Sequence, residues 1–197
     1  MSGMVNIMNE NNNITNFEPI FAMLNDELSK IGLSLVLICA GGFVLQLHGY
    51  RGTADIDAFF NTSIEISQVI RRVGEAFDIN RPDELWLNNS ISNMNPIPLD
   101  QYCDVVHNYS NLVVKVVNLE YLIGMKLVSA RVQDLRDLAV IINDNNEIQP
   151  LDLLNKLKEM KFDIDIAMLL DAFEEARGMD WLNTFYQENE TELRKLF

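Results

Sequence analysis

A Gly-Gly pair at the end of an apolar strand, followed one short helix later by Asp-x-Asp, limits most narrowly what this chain can fold into. Between Leu35 and Asn61 the sequence reads LVLICAGGFVLQLHGYRGTADIDAFFN. Leu35-Val36-Leu37-Ile38-Cys39 has the length and composition of a buried strand. Gly41-Gly42 breaks it where a helical pattern, Phe43 to Gly49, takes over. A second strand is predicted from Ala54 to Phe60, carrying Asp55 and Asp57. Residues two apart on a strand point to the same face. The two carboxylates therefore emerge side by side, while Ile56 and Ala58 point into the core.

Two like charges on an apolar strand repel and are costly to desolvate. A divalent cation removes the objection. Hard oxygen ligands suit Mg²⁺ or Mn²⁺, which are usually held by one or two carboxylates together with substrate phosphates. The paired glycines let a backbone approach closely, and the helix start behind them offers N–H groups to phosphate. Taken singly, a Gly-Gly here reads as a tight turn, and Asp-x-Asp at a strand end as a solvated rim. Together, one helix apart, they point to nucleotide chemistry.

At these residues the chain resembles the nucleotidyltransferase superfamily, marked by Gly-Gly or Gly-Ser opening a helix and Asp-x-Asp on the next strand. The run GGFVLQLHGYRGTADID is similar to an uncharacterised bacterial nucleotidyltransferase-like group that includes the AbiEii-type toxins. The matching positions are Gly41, Gly42, Gly49, Arg51, Thr53, Asp55 and Asp57. One departure is Gly42, where many active members carry Ser. The resemblance implies a polymerase-beta-like fold and transfer of NMP from an NTP to an acceptor hydroxyl on RNA, protein or a small molecule. It implies Mg²⁺ or Mn²⁺ on Asp55 and Asp57, phosphate cradled at Gly41 and Gly42, and Arg51 and Thr53 close by. Through the toxin kinship it also implies an antitoxin partner.

Superfamily enzymes usually add a third acid from a neighbouring strand. Asp104, in a strand predicted over Tyr102–His107, is the candidate for this catalytic and metal-binding place, and Asp100 is second. Without such an acid the fold would bind a nucleotide and not turn it over, which makes a regulatory or nucleotide-binding protein the alternative. A later block, Lys126…Arg131-x-x-Asp134-x-x-Asp137, again resembles the group, and there Lys126 and Arg131 would reach triphosphate oxygens. On the residues alone, Arg131 with Asp134 is an ordinary i, i+3 surface pair worth a few tenths of a kcal/mol. Trp86, in Leu85-Trp86-Leu87-Asn88-Asn89, likewise has two readings. It is either a core anchor under a long loop or a pocket wall stacking on a base, with Asn88 and Asn89 as polar contacts.

Composition narrows the partners. The 197 residues carry 29 acidic and 15 basic side chains, a formal charge of −14. Nucleic-acid binders draw most of their affinity from a basic field, so RNA is disfavoured as acceptor. Only local basic clusters stand out: Arg71-Arg72, Lys126 with Arg131, and Lys156-Lys158-Lys161. Two cysteines fit reduced thiols in the cytoplasm better than a disulfide framework. The N-terminus lacks the basic and apolar regions of a signal peptide. No apolar run reaches the length of a membrane span, so no membrane partner is expected.

The expected fold class is α/β: a small mixed sheet flanked by helices, with a helical C-terminal part. Residues 1–15 are polar and expected to be flexible, 16–148 form the nucleotidyltransferase-like core, and 149–197 form the helical extension. A helix over Phe17–Lys30 has its apolar stripe at Phe17, Ile20, Phe21, Leu24 and Leu28. Another opens at a capping box, Thr62 with Glu65. Strands Tyr102–His107 and Leu112–Val117 flank a hairpin-like turn. The helix after Asn118 either runs on continuously, with Lys126, Ala130, Asp134 and Asp137 on one face, or breaks briefly near Arg131–Gln133. Three helices follow, over Leu151–Met160, Ile164–Arg177 and Trp181–Leu196, with Asp163 and Asp180 as N-caps and Gly178 as a stop.

Overall fold

A computed structural model describes residues 8–9, 14–93 and 97–196. The chain divides into two compact units, residues 1–118 and 119–197. The first is α/β and the second is helical. Most of the stretch predicted to be flexible, residues 1–15, lies outside the described residues. Within it, β1 (Met8–Asn9) pairs antiparallel with β2 (Ile14–Thr15).

In the first unit α1 (Glu18–Lys30) buries Ile20, Phe21, Leu24 and Leu28, the predicted stripe. Gly32, at φ +66°, turns the chain into β3 (Leu35–Cys39). Then come α2 (Gly41–Leu47), β4 (Ile56–Phe59), α3 (Ile64–Ala76) and the short β5 (Leu87–Asn88). The antiparallel pair β6 (Cys103–Asn108) and β7 (Leu112–Val117) completes a sheet of order β5-β4-β3-β7-β6. The sheet is mixed: β3 runs parallel to β7 and antiparallel to β4, and β4 runs parallel to β5.

Alternation along the strands divides the sheet into two faces. Leu35, Leu37, Cys39, Ile56, Ala58, Leu112, Val114 and Val116 are buried on one. Val36, Ile38, Asp57, Val113 and Lys115 are at least partly exposed on the other. Trp86 is wholly buried, stacks on Phe17 and tilts against Phe21, and donates its indole N–H to the Ile70 carbonyl at 2.9 Å. The core-anchor reading holds, and Trp86 is no exposed platform for a base. Asn80 ties this corner together, its Nδ2 donating to the Arg71 carbonyl and its Oδ1 accepting from the Trp86 N–H. A Cβ on Gly74 would lie 2.1 Å from that Oδ1, so only glycine fits there.

Several boundaries shift from the sequence reading. β4 starts at Ile56 rather than Ala54, which leaves Asp55 just outside the strand. α3 is capped by Ser63, whose hydroxyl accepts from the Ile66 N–H at 3.2 Å, and not by Thr62. Adjacent hydroxyls are equivalent in a sequence, and only one reaches the first turn.

The second unit comprises α4 (Leu119–Ser129), α5 (Val132–Asp144), α6 (Pro150–Glu159), α7 (Ile166–Arg177), α8 (Met179–Glu188) and α9 (Glu190–Leu193). Of the two readings of the stretch after Asn118 the broken one holds, the break falling at Ala130–Arg131 with Ala130 in the left-handed region at φ 49°. α4 is buried from Tyr121 to Leu127. Gly124 lets Phe162 and Leu157 close on it, for a Cβ would meet them at 2.6 and 2.8 Å. Asp165, not Asp163, caps α7 by accepting from the Ala167 N–H, and Asp180 lies inside the first turn of α8. The C-terminal helix predicted over Trp181–Leu196 is two helices, α8 and α9. Arg177 lies over the rings of Phe173 and Trp181, and one guanidinium nitrogen donates to the carbonyls of Ile142, Asn145 and Ile148. Among the described residues no helix is long and apolar enough to cross a membrane.

Candidate functional site

The glycine pair and the two aspartates meet at one corner of the sheet. Gly41, at φ +60°, opens α2 directly after β3, and the Ala40 N–H donates to the Asp57 carbonyl on β4 at 2.9 Å. This link brings the turn against Asp57. A Cβ on Gly41 would stand 3.0 Å from Asp57 Oδ2, so no side chain separates the backbone of the turn from that carboxylate.

Gly42 faces the other half of the motif. A Cβ there would lie 2.6 Å from Thr53 Oγ1 and 3.4 Å from an Arg51 guanidinium nitrogen. The Thr53 hydroxyl is 2.9 Å from Asp55 Oδ1 and 3.1 Å from the Asp55 carbonyl oxygen. Thr53 thus fills the volume that a Ser side chain at position 42 would take, and it orients Asp55. The loop is itself held from behind. Thr15 donates to the Thr53 carbonyl at 2.8 Å, and Gln46 accepts from the Thr53 N–H while donating to the Thr15 carbonyl.

Gly42→Ala is accordingly expected to lose about 1–3 kcal/mol by overpacking against Thr53. Thr53→Gly should cost less in that background than in the wild type, a non-additivity readable from urea melts of the four proteins. Additive losses would show that the two positions do not compete for space.

Arg81 also belongs to this corner. Its guanidinium lies 3.4 Å from Asp55 Oδ2 and 3.2 Å from Glu84. Sequence reasoning missed it, because it sits in an irregular loop far along the chain, and only the fold brings it back. Asp57 has Asn88 of β5 as its register partner.

Two of the remaining candidates, Asp104 and Asp100, share the first unit with this corner but are not brought to it. Asp104 lies on β6, at the far edge of the sheet. Its rung runs through Val116 and Cys39 to Ala58. Three strand spacings, about 14 Å, separate Asp104 from Ala58, and Ala58 faces away from Asp57. Asp100 is bonded to Lys115 at 2.8 Å. Among the described residues no cluster of three or more His, Cys, Asp or Glu is placed to hold a metal. Among the described residues two carboxylates, Asp55 and Asp57, meet at this corner.

In the helical unit, Lys126 is buried, with its ammonium 2.9 Å from Asp134 Oδ1 and 2.6 Å from Asp137 Oδ2. Arg131 bonds the second oxygen of Asp134 at 2.7 Å, and Gln133 bonds the second oxygen of Asp137 at 2.9 Å. Two cations thus neutralise two carboxylates. This geometry accounts for Lys126 as the centre of a buried network and not as an exposed phosphate ligand. Lys156 is likewise engaged, with Glu120.

Both cysteines are free. Burial, reinforced by the Asp57 charge, pushes the Cys39 thiol far up. Burial raises Cys103 to about 11 against the opposing pull of Lys115. Both shifts favour the protonated thiol at neutral pH.

A protein family described as "Nucleotidyltransferase of unknown function (DUF6036)" matches residues 15–194. The chain belongs to that family. No curated protein and no solved structure matches it. The match to this nucleotidyltransferase family spans the Gly41–Gly42 turn, Asp55, Asp57 and both units.

Proposed function

We propose that the corner formed by Gly41, Gly42, Thr53, Asp55 and Asp57 binds an NTP with Mg²⁺ or Mn²⁺ and directs transfer of its NMP to an acceptor hydroxyl, whose oxygen loses its proton and bonds the α-phosphorus as the α–β bond breaks and pyrophosphate leaves. The observation that carries this reading is the bare glycine turn lying directly against Asp57. A backbone free of side chains beside two carboxylates suits a phosphate and a hard cation together. Asp55 and Asp57 would hold the cation, which when bound neutralises charge on the phosphates. Thr53 keeps Asp55 in place, and Arg51 and Arg81 bring positive charge to the same corner.

A nucleotide-binding protein without turnover is the second reading. The two-carboxylate donor set favours it, because Asp104 lies on the opposite face of the sheet. Metal binding by two carboxylates alone is weak and tightens when phosphate oxygens complete the shell.

Calorimetry with each NTP, with and without Mg²⁺, tests the shared part. Wild type should bind at least tenfold more tightly with Mg²⁺, and Asp57→Asn should lose that gain while melting as the wild type does. Equal affinity with and without the cation would sink the metal-bridged site. Radiolabelled NMP transfer into cellular RNA, protein and small molecules then separates enzyme from binder. Label that persists in Asp57→Asn would defeat the transfer mechanism.

A further inference from the structure

Asn88 is the register partner of Asp57 on the neighbouring parallel strand, so both side chains leave the same face of the sheet. Its Oδ1 accepts from the Ser90 N–H at 3.1 Å and from the Ser90 hydroxyl at 2.6 Å. The Ser90 N–H, which can only donate, settles which end of the amide is which. The nitrogen, Nδ2, is buried and has no hydrogen-bond partner among the described residues. A buried donor left unmade costs about 1–3 kcal/mol, and native proteins retain few of them. An unmade donor next to Asp57 has the character of a group that waits for a ligand.

We propose that Asn88 contacts the phosphate of the nucleotide bound at Asp55 and Asp57, with Nδ2 donating to a phosphate oxygen. The proposal rests on the nucleotide reading of that corner. Chemistry selects this role over metal ligation. Only Oδ1 of an amide can ligate a hard cation, and Ser90 already occupies it twice. Nδ2 is a donor alone, so its partner must be an acceptor, and phosphate oxygens are the strongest acceptors in an NTP. Beside Asp57 the site therefore presents a fixed donor.

Asn88→Asp isolates the point. It keeps the oxygen that Ser90 holds and replaces the donor by a second, anionic oxygen. Titration with MgATP, MgGTP, MgCTP and MgUTP should show the preferred nucleotide binding at least tenfold more weakly. Mn²⁺ alone, followed by its electron paramagnetic resonance signal, should bind more tightly, because a third carboxylate joins Asp55 and Asp57. Asn88→Ala should weaken nucleotide without the gain in Mn²⁺, and thermal melts with Mn²⁺ present, which offsets the added charge beside Asp57, should keep Asn88→Asp near wild type. Opposite movements of nucleotide and metal affinity are not produced by a structural defect. Nucleotide binding unchanged in Asn88→Asp, while Asp57→Asn loses it, would overturn this role alone. Equal weakening in both Asn88 variants with a matching fall in melting temperature would make Asn88 structural. Wild-type protein that binds none of the four nucleotides would overturn both readings.

Discussion

A Lys126→Met protein is expected to lose about 3–5 kcal/mol of stability, because the change strands buried carboxylates without their counter-charge. Lys126, Asp134 and Asp137 each have side chains at most 6% exposed, and the ammonium bonds both acids. Arg131 makes the informative contrast. It bonds Asp134 but is 77% exposed, so Arg131→Ala should cost no more than about 1 kcal/mol. Urea unfolding of the two variants at neutral pH measures the difference. A Lys126→Met midpoint within error of the Arg131→Ala midpoint would show that the buried network carries no special weight.

Acid probes the same group. Burial raises the Asp134 carboxyl, but hydrogen bonds from Arg131 and Lys126 outweigh it and hold the group below its ordinary value of 3.8. A depressed carboxyl contributes stability that is present above the unfolded value and lost as pH falls through the lower folded one. Wild type should therefore keep this contribution until below pH 3.8. In Lys126→Met the opposing bond is gone, so acid titration of the carboxyl begins at higher pH.

Trp86→Ala should cost about 3–5 kcal/mol, the range for emptying a fully buried aromatic site. The indole is packed by Phe17 and Phe21 and anchored to the Ile70 carbonyl. Trp86→Phe retains most of the packing and loses the hydrogen bond, so it should cost about 0.5–1.5 kcal/mol plus a smaller cavity. Nucleotide affinity at 25 °C should be unchanged in the Phe variant. A stable Trp86→Ala protein with weakened nucleotide binding would instead return Trp86 to the site.

What the sequence made legible was local. The apolar run ending at Gly41-Gly42 and the helix after it are written in composition and turn chemistry. The α1 stripe is written in periodicity. Asp57 was readable for the same reason, since alternation with buried Ile56 and Ala58 forces it outward. Asp55 falls just short of the strand that alternation suggests for it, because the Thr53 hydroxyl holds it in the preceding bend.

What was not legible depended on strand order. Asp104 does lie on a strand, but nothing in its neighbourhood says that β6 adds outside β7 and takes the acid to the far edge. Asn88 was legible as a polar contact, but its place beside Asp57 follows only from the pairing of β5 with β4, and Arg81 reaches the corner from the loop before β5. Lys126 carries a local signal of its burial. It interrupts the apolar run Leu122-Ile123-Gly124-Met125-Lys126-Leu127, and a lysine inside such a run needs buried acids close by.

The Arg177 clamp bears on how the helical unit comes apart. One nitrogen serves carbonyls at Ile142, in the last turn of α5, and at Asn145 and Ile148, in the link to α6. The same guanidinium is held over the rings of Phe173 and Trp181. Neither the end of α5 nor the link can fray alone, because each would abandon a cation that the other still engages. Amide exchange in these segments is therefore governed by a shared opening with α7 and α8, and their protected hydrogens should be lost as one kinetic class.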